Sequence, residues 1–231
     1  MRAAIIAFIA LAGSAVVATA RAAELGVYAG ISYAMVKKDS TRSVFENEAL
    51  VIDGLVGFVP DPGSRTATFD DKGSSYGFVV GWRMSEHIAL EGGYMDLGTV
   101  KYREHAAGVF QTDPSAPRTF QQNIDSGTSG IQMSALGILP LTYRWELYAR
   151  GGVLISNSTE NIFVLDDRGG SGKLRGTKSG FDLLAGVGVG FSLVEIYNVR
   201  LEYQRVFDAG DDATLDEADV DLMTLNVSVS F

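Results

Sequence analysis

Apolar and polar residues alternate with a period of two along much of the chain, and the last segment shows this alternation best. One parity is apolar and comprises Met223, Leu225, Val227, Val229 and Phe231. The other parity is polar and comprises Thr224, Asn226, Ser228 and Ser230. Because a helix would mix these two sets around its circumference, the pattern predicts a β-strand with two different faces.

The same alternation marks seven earlier segments, which are residues 25–36, 75–84, 87–97, 131–139, 146–155, 181–191 and 198–207. Glycines occupy one face of 181–191, where each would cost a helix about 1 kcal/mol relative to alanine. With the last segment they make eight predicted strands of about ten residues. That is the length a tilted strand needs to cross a membrane.

The predicted connections alternate between short and long. Short links lie at 85–86, 140–145 and 194–197, long links occupy 37–74, 98–128 and 156–178, and a medium link spans 208–218. Short periplasmic turns and long extracellular loops are typical of outer-membrane barrels. The fold class we predict is therefore all-β, an eight-stranded antiparallel up-and-down transmembrane β-barrel. Aromatic residues near the predicted strand ends would form its interfacial belts, and they are Tyr76, Trp82, Tyr94, Tyr143, Trp145, Phe181, Phe191, Phe207 and Phe231.

The first 22 residues have the features of a cleaved signal peptide. Met1-Arg2 is followed by an apolar run at 3–17 that is too short to span a membrane comfortably. Ala20-Arg21-Ala22 then fits the small-residue cleavage pattern, as Ala18-Thr19-Ala20 does two residues earlier. We therefore expect a signal peptide at 1–22 and an outer-membrane β-barrel domain at 23–231. The alternative is an uncleaved membrane anchor.

Composition removes several classes of protein. The 231 residues include no cysteine, which excludes a disulfide scaffold, a thiolate metal site and a lipid-anchored lipoprotein. The formal net charge of −9 argues against nucleic-acid partners, which require a basic face. Glycine is abundant at 27 residues and proline scarce at 5, which favours an exported all-β protein.

Several ordered segments resemble those of a known family. They are the run 88–98, the pair 136–141 and 147–153 around a tight turn, the pair 186–191 and 200–204, and the final Phe231. In this order they resemble the OmpA-like and opacity-type small outer-membrane β-barrel proteins. The resemblance implies integral outer-membrane localisation and folding by the barrel assembly machinery, with Phe231 as part of the assembly signal. Because the chain ends at Phe231, we expect the barrel only, without the peptidoglycan-binding domain that the family often adds.

Strand parity places a set of polar residues in the lumen, and they are Arg83, Glu91, Arg150, Arg200, Glu202 and Gln204. Buried charges require partners, so we expect Arg–Glu pairs between strands. A barrel of eight strands is just wide enough for its own side chains to fill. The network is thus expected to be a structural plug, and the alternative is a gate on a narrow ion path.

Two predicted loops carry strong charge. The last is acidic at Asp208, Asp211, Asp212, Asp216 and Glu217, followed by Asp219 and Asp221. It is either a solvated loop or a contact for Ca²⁺ or Mg²⁺, although its spacing is not that of an EF-hand. The loop before it is basic at Arg168, Lys173, Arg175 and Lys178, which could contact anionic lipopolysaccharide.

No catalytic set can be argued from spacing. The two histidines are His87, beside a predicted periplasmic turn, and His105, in a predicted loop without a serine nearby. We expect no enzymatic activity, no cofactor and no metal. The leading hypothesis is a monomeric structural or surface protein, adhesion- or antigen-like, set among outer-membrane lipids and lipopolysaccharide, with loops for host or phage contacts. The alternatives are a narrow channel for ions or small solutes and a soluble periplasmic lipid-binding barrel.

Overall fold

The structure, a computed structural model, describes residues 26–39, 42–194, 196–209 and 218–231. The predicted signal peptide at 1–22 lies outside these residues, as do Asp211, Asp212, Asp216 and Glu217 of the acidic segment. The elements in chain order are β1 (Gly26–Lys38), α1 (Arg42–Val56), β2 (Phe58–Pro60), β3 (Thr66–Asp70), β4 (Lys72–Arg83), β5 (Ile88–Phe110), β6 (Asp113–Pro140), β7 (Trp145–Asp166), β8 (Ser171–Val194), β9 (Tyr197–Ala209) and β10 (Ala218–Ser230).

Eight of the strands in the described part of the chain close into a ring. Each of β4 to β9 pairs antiparallel with the next strand in sequence, and β1 closes the ring by pairing with both β4 and β10. The short strands β2 and β3 lie outside the ring and add to the far end of β5. The predicted eight-stranded antiparallel up-and-down barrel is confirmed.

Within the barrel, the strands are apolar on their outward face and largely polar on their inward face, which is the reverse of a soluble protein. On β10, Leu225 and Val227 point outward and are more than 40% exposed, whereas Asn226 and Ser228 point into the lumen and are buried. The outward side chains form an apolar band, with Trp82, Trp145 and Phe231 near the short turns and Tyr76, Tyr94 and Phe181 near its other edge. An apolar exterior around a polar interior fits a lipid environment. No helix within the described ranges is long and apolar enough to cross a membrane.

The predicted long loops at 98–128 and 156–178 are wrong. β5 continues to Phe110 and β6 begins at Asp113, while β7 continues to Asp166 and β8 begins at Ser171. These four strands have 22 to 28 residues instead of about ten. Their parts beyond the apolar band, which are residues 96–110, 113–129, 157–166 and 171–179, form a sheet that we call the extension.

A β-bulge carries the inward face of β5 into the extension. Asp96 pairs with Ser129 and Thr99 with Gly127, so one extra residue is inserted on β5. Gly98 adopts a φ of 74°, which glycine accepts without steric cost. Buried positions therefore change from odd numbers, such as Leu97, to even numbers, such as Val100.

The predicted loop at 37–74 contains the helix α1. Its residues Phe45, Ala49 and Ile52 recur at intervals of four and three, which places them on one face. That face packs on the inward side of the extension, against Val100, Tyr102 and Ile124. The prediction of a loop is therefore wrong, because this segment forms its own small core with the extension.

Candidate functional site

An ionic cluster occupies the lumen within the apolar band. The buried carboxylate of Glu91 lies 2.7 Å from Arg150 Nη2 and 2.6 Å from Arg200 Nη1. The hydroxyl of Tyr28 donates to the same carboxylate at 2.5 Å. One carboxylate on β5 thus joins strands on opposite sides of the ring.

A second carboxylate completes this cluster. Arg150 Nε donates to Glu202 at 2.6 Å, and the hydroxyl of Tyr148 donates to Glu202 at 3.0 Å. The guanidinium of Arg200 lies over the rings of Tyr28 and Tyr148, at 5.0 and 5.6 Å from their centroids. Two glutamates and two arginines cancel in charge, which is the arrangement that makes burial of four charges tolerable.

The structure brings four of the six predicted lumen residues into this cluster. Arg83 lies apart from it and pairs with Glu146 at 2.8 Å, near the short turns. Gln204 is buried on β9, two residues beyond Glu202. Sequence reasoning did not name Tyr28 or Tyr148 as partners, although Tyr148 shares its parity with Arg150. Below the cluster, an opening of about 230 Å³ is lined by Arg83, Glu146 and Arg200 among others.

An apolar layer closes the lumen above the cluster. Its buried side chains include Val36, Leu97, Leu154, Leu184, Val206 and Leu222, each at most 4% exposed. They occupy inward positions, where strand parity predicts a polar lumen. The inward side chains of the described strands therefore include an ionic cluster and, above it, an apolar layer, with buried polar residues such as Gln132 and Gln204 beside them.

A buried polar group lies beneath α1 in the extension. Arg65 contacts Asp53 and also lies 2.5 Å from Glu104. Gln122 donates to Asp53 at 2.5 Å, and the hydroxyl of Tyr102 donates to Glu104 at 2.5 Å. Burial raises the pKa of Asp53 above the ordinary value of an aspartate, against the opposing attraction of Arg65. Asp53 thus fastens the helix to Arg65, which precedes β3, and to Gln122 on β6, at the cost of desolvating a carboxylate.

The pH dependence of α1 docking is expected to follow Asp53. The pKa of Asp53 is higher when α1 is docked than when it is undocked. At pH values between these two pKa values, docking is therefore accompanied by uptake of a proton. The stabilisation contributed by Asp53 is therefore complete below the undocked pKa and is lost as the pH rises through the docked pKa. Hydrogen exchange of the 42–56 amides, corrected for intrinsic rates, should show this loss in the wild type and not in Asp53→Asn. The exposed Asp61→Asn is the control, and an unchanged pH dependence in Asp53→Asn would contradict the prediction.

At the end of the barrel opposite the short turns, the charged residues that the structure describes have hydrogen-bond or ion-pair partners close by. Asp208 has a φ of 51°, and its amide donates to Asp219 at 3.2 Å. Arg205 lies 3.6 Å from Asp219 and 2.7 Å from Asp221. Among the described residues, no group of three or more His, Asp or Glu side chains could hold a metal ion. A cation contact of the whole acidic segment stays a prediction.

The remaining predicted residues lie on strands and turns. Lys173, Arg175 and Lys178 belong to β8 instead of a loop, and Arg168 lies in the turn before it, 3.8 Å from Asp113. His105 is on β5 opposite Gln121, so its predicted loop position is wrong. His87 follows a short turn, with Nδ1 3.2 Å from the carbonyl of Ile138.

A closed antiparallel barrel with an apolar exterior, interfacial aromatic residues and a charged, filled lumen defines an integral outer-membrane β-barrel protein. The chain belongs to the OmpA-like transmembrane domain family, whose model matches residues 22–231. The protein is therefore an integral protein of the outer membrane. The short turns then face the periplasm, and the extension faces the outside of the cell.

The solved structures that the chain resembles include three small outer-membrane barrels. Neisserial surface protein A is 14% identical, with 89% of this chain and 97% of that chain covered and a TM-score of 0.48. The N-terminal barrel domain of Pseudomonas aeruginosa OprF is 10% identical, with coverages of 88% and 97% and a TM-score of 0.41. Ail of Yersinia pestis is 12% identical, with coverages of 89% and 97% and a TM-score of 0.38. No curated protein matches the sequence.

Proposed function

We propose that this protein is a structural, surface-presenting component of the outer membrane. The observation that carries the proposal is the contrast between the two parts of the barrel. The lumen is filled by an ionic cluster and an apolar layer, whereas four strands continue beyond the membrane as the extension. Residues 113–129 alone make roughly 55 Å of strand at about 3.3 Å per residue. The contacts of the protein would then be made by the extension, with host, phage or neighbouring cells.

The apolar layer argues against the alternative of a narrow channel. An ion that crosses it would exchange most of its hydration shell for apolar side chains such as Leu154 and Leu222, with only a few buried polar groups such as Gln204 beside them. The ionic cluster would not relieve this barrier, because it lies in a different layer. The soluble lipid-binding alternative does not fit a chain of this family with an apolar exterior.

Conductance measurements distinguish the proposed function from the alternative of a narrow channel. The purified barrel, inserted in planar bilayers, is expected to give no steady conductance above background. A steady single-channel conductance in the wild type would overturn the proposed filled lumen. The variant Leu154→Gly/Leu222→Gly serves as a control on sensitivity, because it opens a path through the apolar layer.

Surface presentation can be tested by labelling, because the chain has no cysteine of its own. Thr177→Cys places a thiol on the exposed outer face of β8 in the extension, and Glu86→Cys places one at a periplasmic turn. In intact cells, a membrane-impermeant maleimide is expected to label the first variant and to leave the second unlabelled until the cells are lysed. Equal labelling before lysis, or labelling of the Glu86→Cys variant alone, would contradict the proposed orientation.

The partner proposed for biogenesis is the barrel assembly machinery, which would recognise the last strand. The amide of Phe231 donates to the carbonyl of Val27 at 2.9 Å, beside the pairing of β1 with β10 that closes the ring. We expect Phe231→Ser to reduce the amount of inserted barrel, because the assembly machinery would lose an aromatic residue that it recognises. The fraction that migrates faster in cold detergent than after boiling measures insertion. An unchanged fraction would show that Phe231 is not part of the assembly signal.

A further inference from the structure

A shallow groove of about 260 Å³ lies on the outer wall of the barrel, where β5, β6 and β7 leave the apolar band. We call it the interface groove, and its lining includes Tyr94, Asp96, Thr99, Asp125, Asn157 and Asn161. It is on the face of these strands opposite to the lumen and to α1. Neither the ionic cluster nor the α1 core uses these residues.

The strand register fixes the height of the groove relative to the membrane. Tyr94, Ile131 and Ile155 are paired side by side and are the last exposed apolar row on these strands. Three rows follow at increasing height, and they are Asp96–Ser129–Asn157, Thr99–Gly127–Thr159 and Lys101–Asp125–Asn161. The groove therefore begins where the hydrocarbon region ends, at the level of the lipid headgroups.

The middle row explains why the wall is concave here. Gly127 lies between Thr99 and Thr159 and has no side chain to fill the space between them. A Cβ atom at this position would approach Thr99 Oγ1 to 3.0 Å. The longer side chains of the rows above and below surround this gap with carboxylate and amide groups.

The chemistry of the lining fits the hydroxyl groups of a sugar. Hydroxyl and amide side chains both donate and accept hydrogen bonds, as sugar hydroxyls do, and carboxylates accept from them. A phosphate would instead require cationic donors in the lining, and the lining contains none. The nearby guanidinium of Arg103 is held by Asp125 at 2.7 Å, and the exposed Lys101 of the upper row lies outside the lining. A bare metal ion is not favoured, since the described residues provide no cluster of three carboxylate or imidazole ligands.

We propose that the interface groove binds a headgroup sugar of an outer-leaflet glycolipid. The acyl chains of such a lipid lie along Tyr94, Ile131 and Ile155, and its headgroup enters the groove directly above them. A soluble sugar would make no contact with the apolar row below the groove. The position of the groove therefore favours a lipid-linked sugar over a soluble one. This inference depends on the outer-membrane localisation and not on the proposed surface-presenting role.

Titration in bilayer nanodiscs tests the proposal with defined lipids. The barrel is placed in phosphatidylcholine nanodiscs with increasing amounts of a neutral diglycosyl lipid, and the side-chain amide signals of Asn157 and Asn161 are recorded by NMR. Saturable shifts at both amides are the expected result. No saturable shift with the glycolipid would overturn the proposal. So would equal shifts with phosphatidylglycerol, which carries a phosphate without a sugar, or with the free sugar at the same concentration.

A matched pair of variants checks that the groove itself is responsible. Asn157→Ala/Asn161→Ala removes two amides from the lining, whereas Asn123→Ala removes an outward amide from the row above it. With fluorescently labelled glycolipid, the double variant is expected to lose about tenfold in apparent affinity, as two modest hydrogen bonds imply. The control variant should stay within about twofold of the wild type, by the same relation between free energy and affinity. A double variant that folds, as shown by its shift on cold detergent gels, and binds like the wild type would overturn the assignment.

Discussion

Replacing Glu91 with alanine is expected to lower the free energy of unfolding of the barrel by about 3–5 kcal/mol. The carboxylate is buried between Arg150 and Arg200, at 2.7 and 2.6 Å, and its removal leaves two buried guanidiniums with Glu202 as the remaining carboxylate of the cluster. The unfolding free energy can be measured by urea titration in lipid vesicles. Fluorescence of the two tryptophans reports the transition, because both lie on the outer surface of the barrel.

Two further variants separate charge pairing from packing. Glu86→Ala removes an exposed glutamate at the periplasmic turn and should change the unfolding free energy by no more than about 0.5 kcal/mol. Replacing the whole cluster with apolar residues, as Glu91→Leu/Arg150→Met/Arg200→Met/Glu202→Leu, should restore much of the stability lost in Glu91→Ala, since no buried charge is left unpaired. A loss below about 1 kcal/mol in Glu91→Ala, the ordinary range for an exposed ion pair, would mean that water already screens the cluster.

The ring of strands could be predicted because its determinants are local. Each strand in the apolar band has to alternate between lipid and lumen, and this alternation is visible within ten residues, as in 223–231. The lumen charges could be predicted for the same reason, since parity and residue type suffice. Their partners could not, because Arg200 and Glu91 are 109 positions apart and nothing in either strand specifies the other.

The extension could not be predicted because the rule that identifies the barrel strands stops at the membrane. Outside the lipid, the outward face becomes polar at Asp96, Ser129 and Asn157, and the inward face includes the polar residues Glu104 and Gln122. The bulge at Gly98 also shifts the parity of β5, so that a count of alternate residues fails at that point. These segments thus have the composition of loops although they form paired strands.

The helix was missed for a different reason. The spacing of Phe45, Ala49 and Ile52 is typical of an amphipathic helix and is present in the sequence. It lies in a segment that the alternation of short and long connections predicts to be a loop. Segments between the strands of a barrel therefore need to be tested for a helical period in their own right.

Replacing Phe45 with alanine is expected to weaken the docking of α1 by about 3–5 kcal/mol. Its side chain is 1% exposed, and its ring lies 5.4 Å from that of Phe69 and 6.1 Å from that of Tyr102. Loss of these contacts opens a cavity beneath the helix that the paired strands of the extension cannot fill by shifting. Hydrogen exchange of the 42–56 amides measures the docking directly and should accelerate by two to four orders of magnitude, about tenfold for each 1.4 kcal/mol.

The effect should be confined to the extension, because the partners of Phe45 all lie above the apolar band. Exchange at 223–230, in the closing strand of the ring, is expected to stay at the wild-type rate. Leu55→Ala is the matched control on the same helix, since Leu55 is 76% exposed and makes no part of the core beneath α1. Faster exchange at 223–230 in Phe45→Ala would show that the extension and the barrel unfold together. Unchanged exchange at 223–230 would mean that the helix can be altered without loss of the membrane-embedded fold.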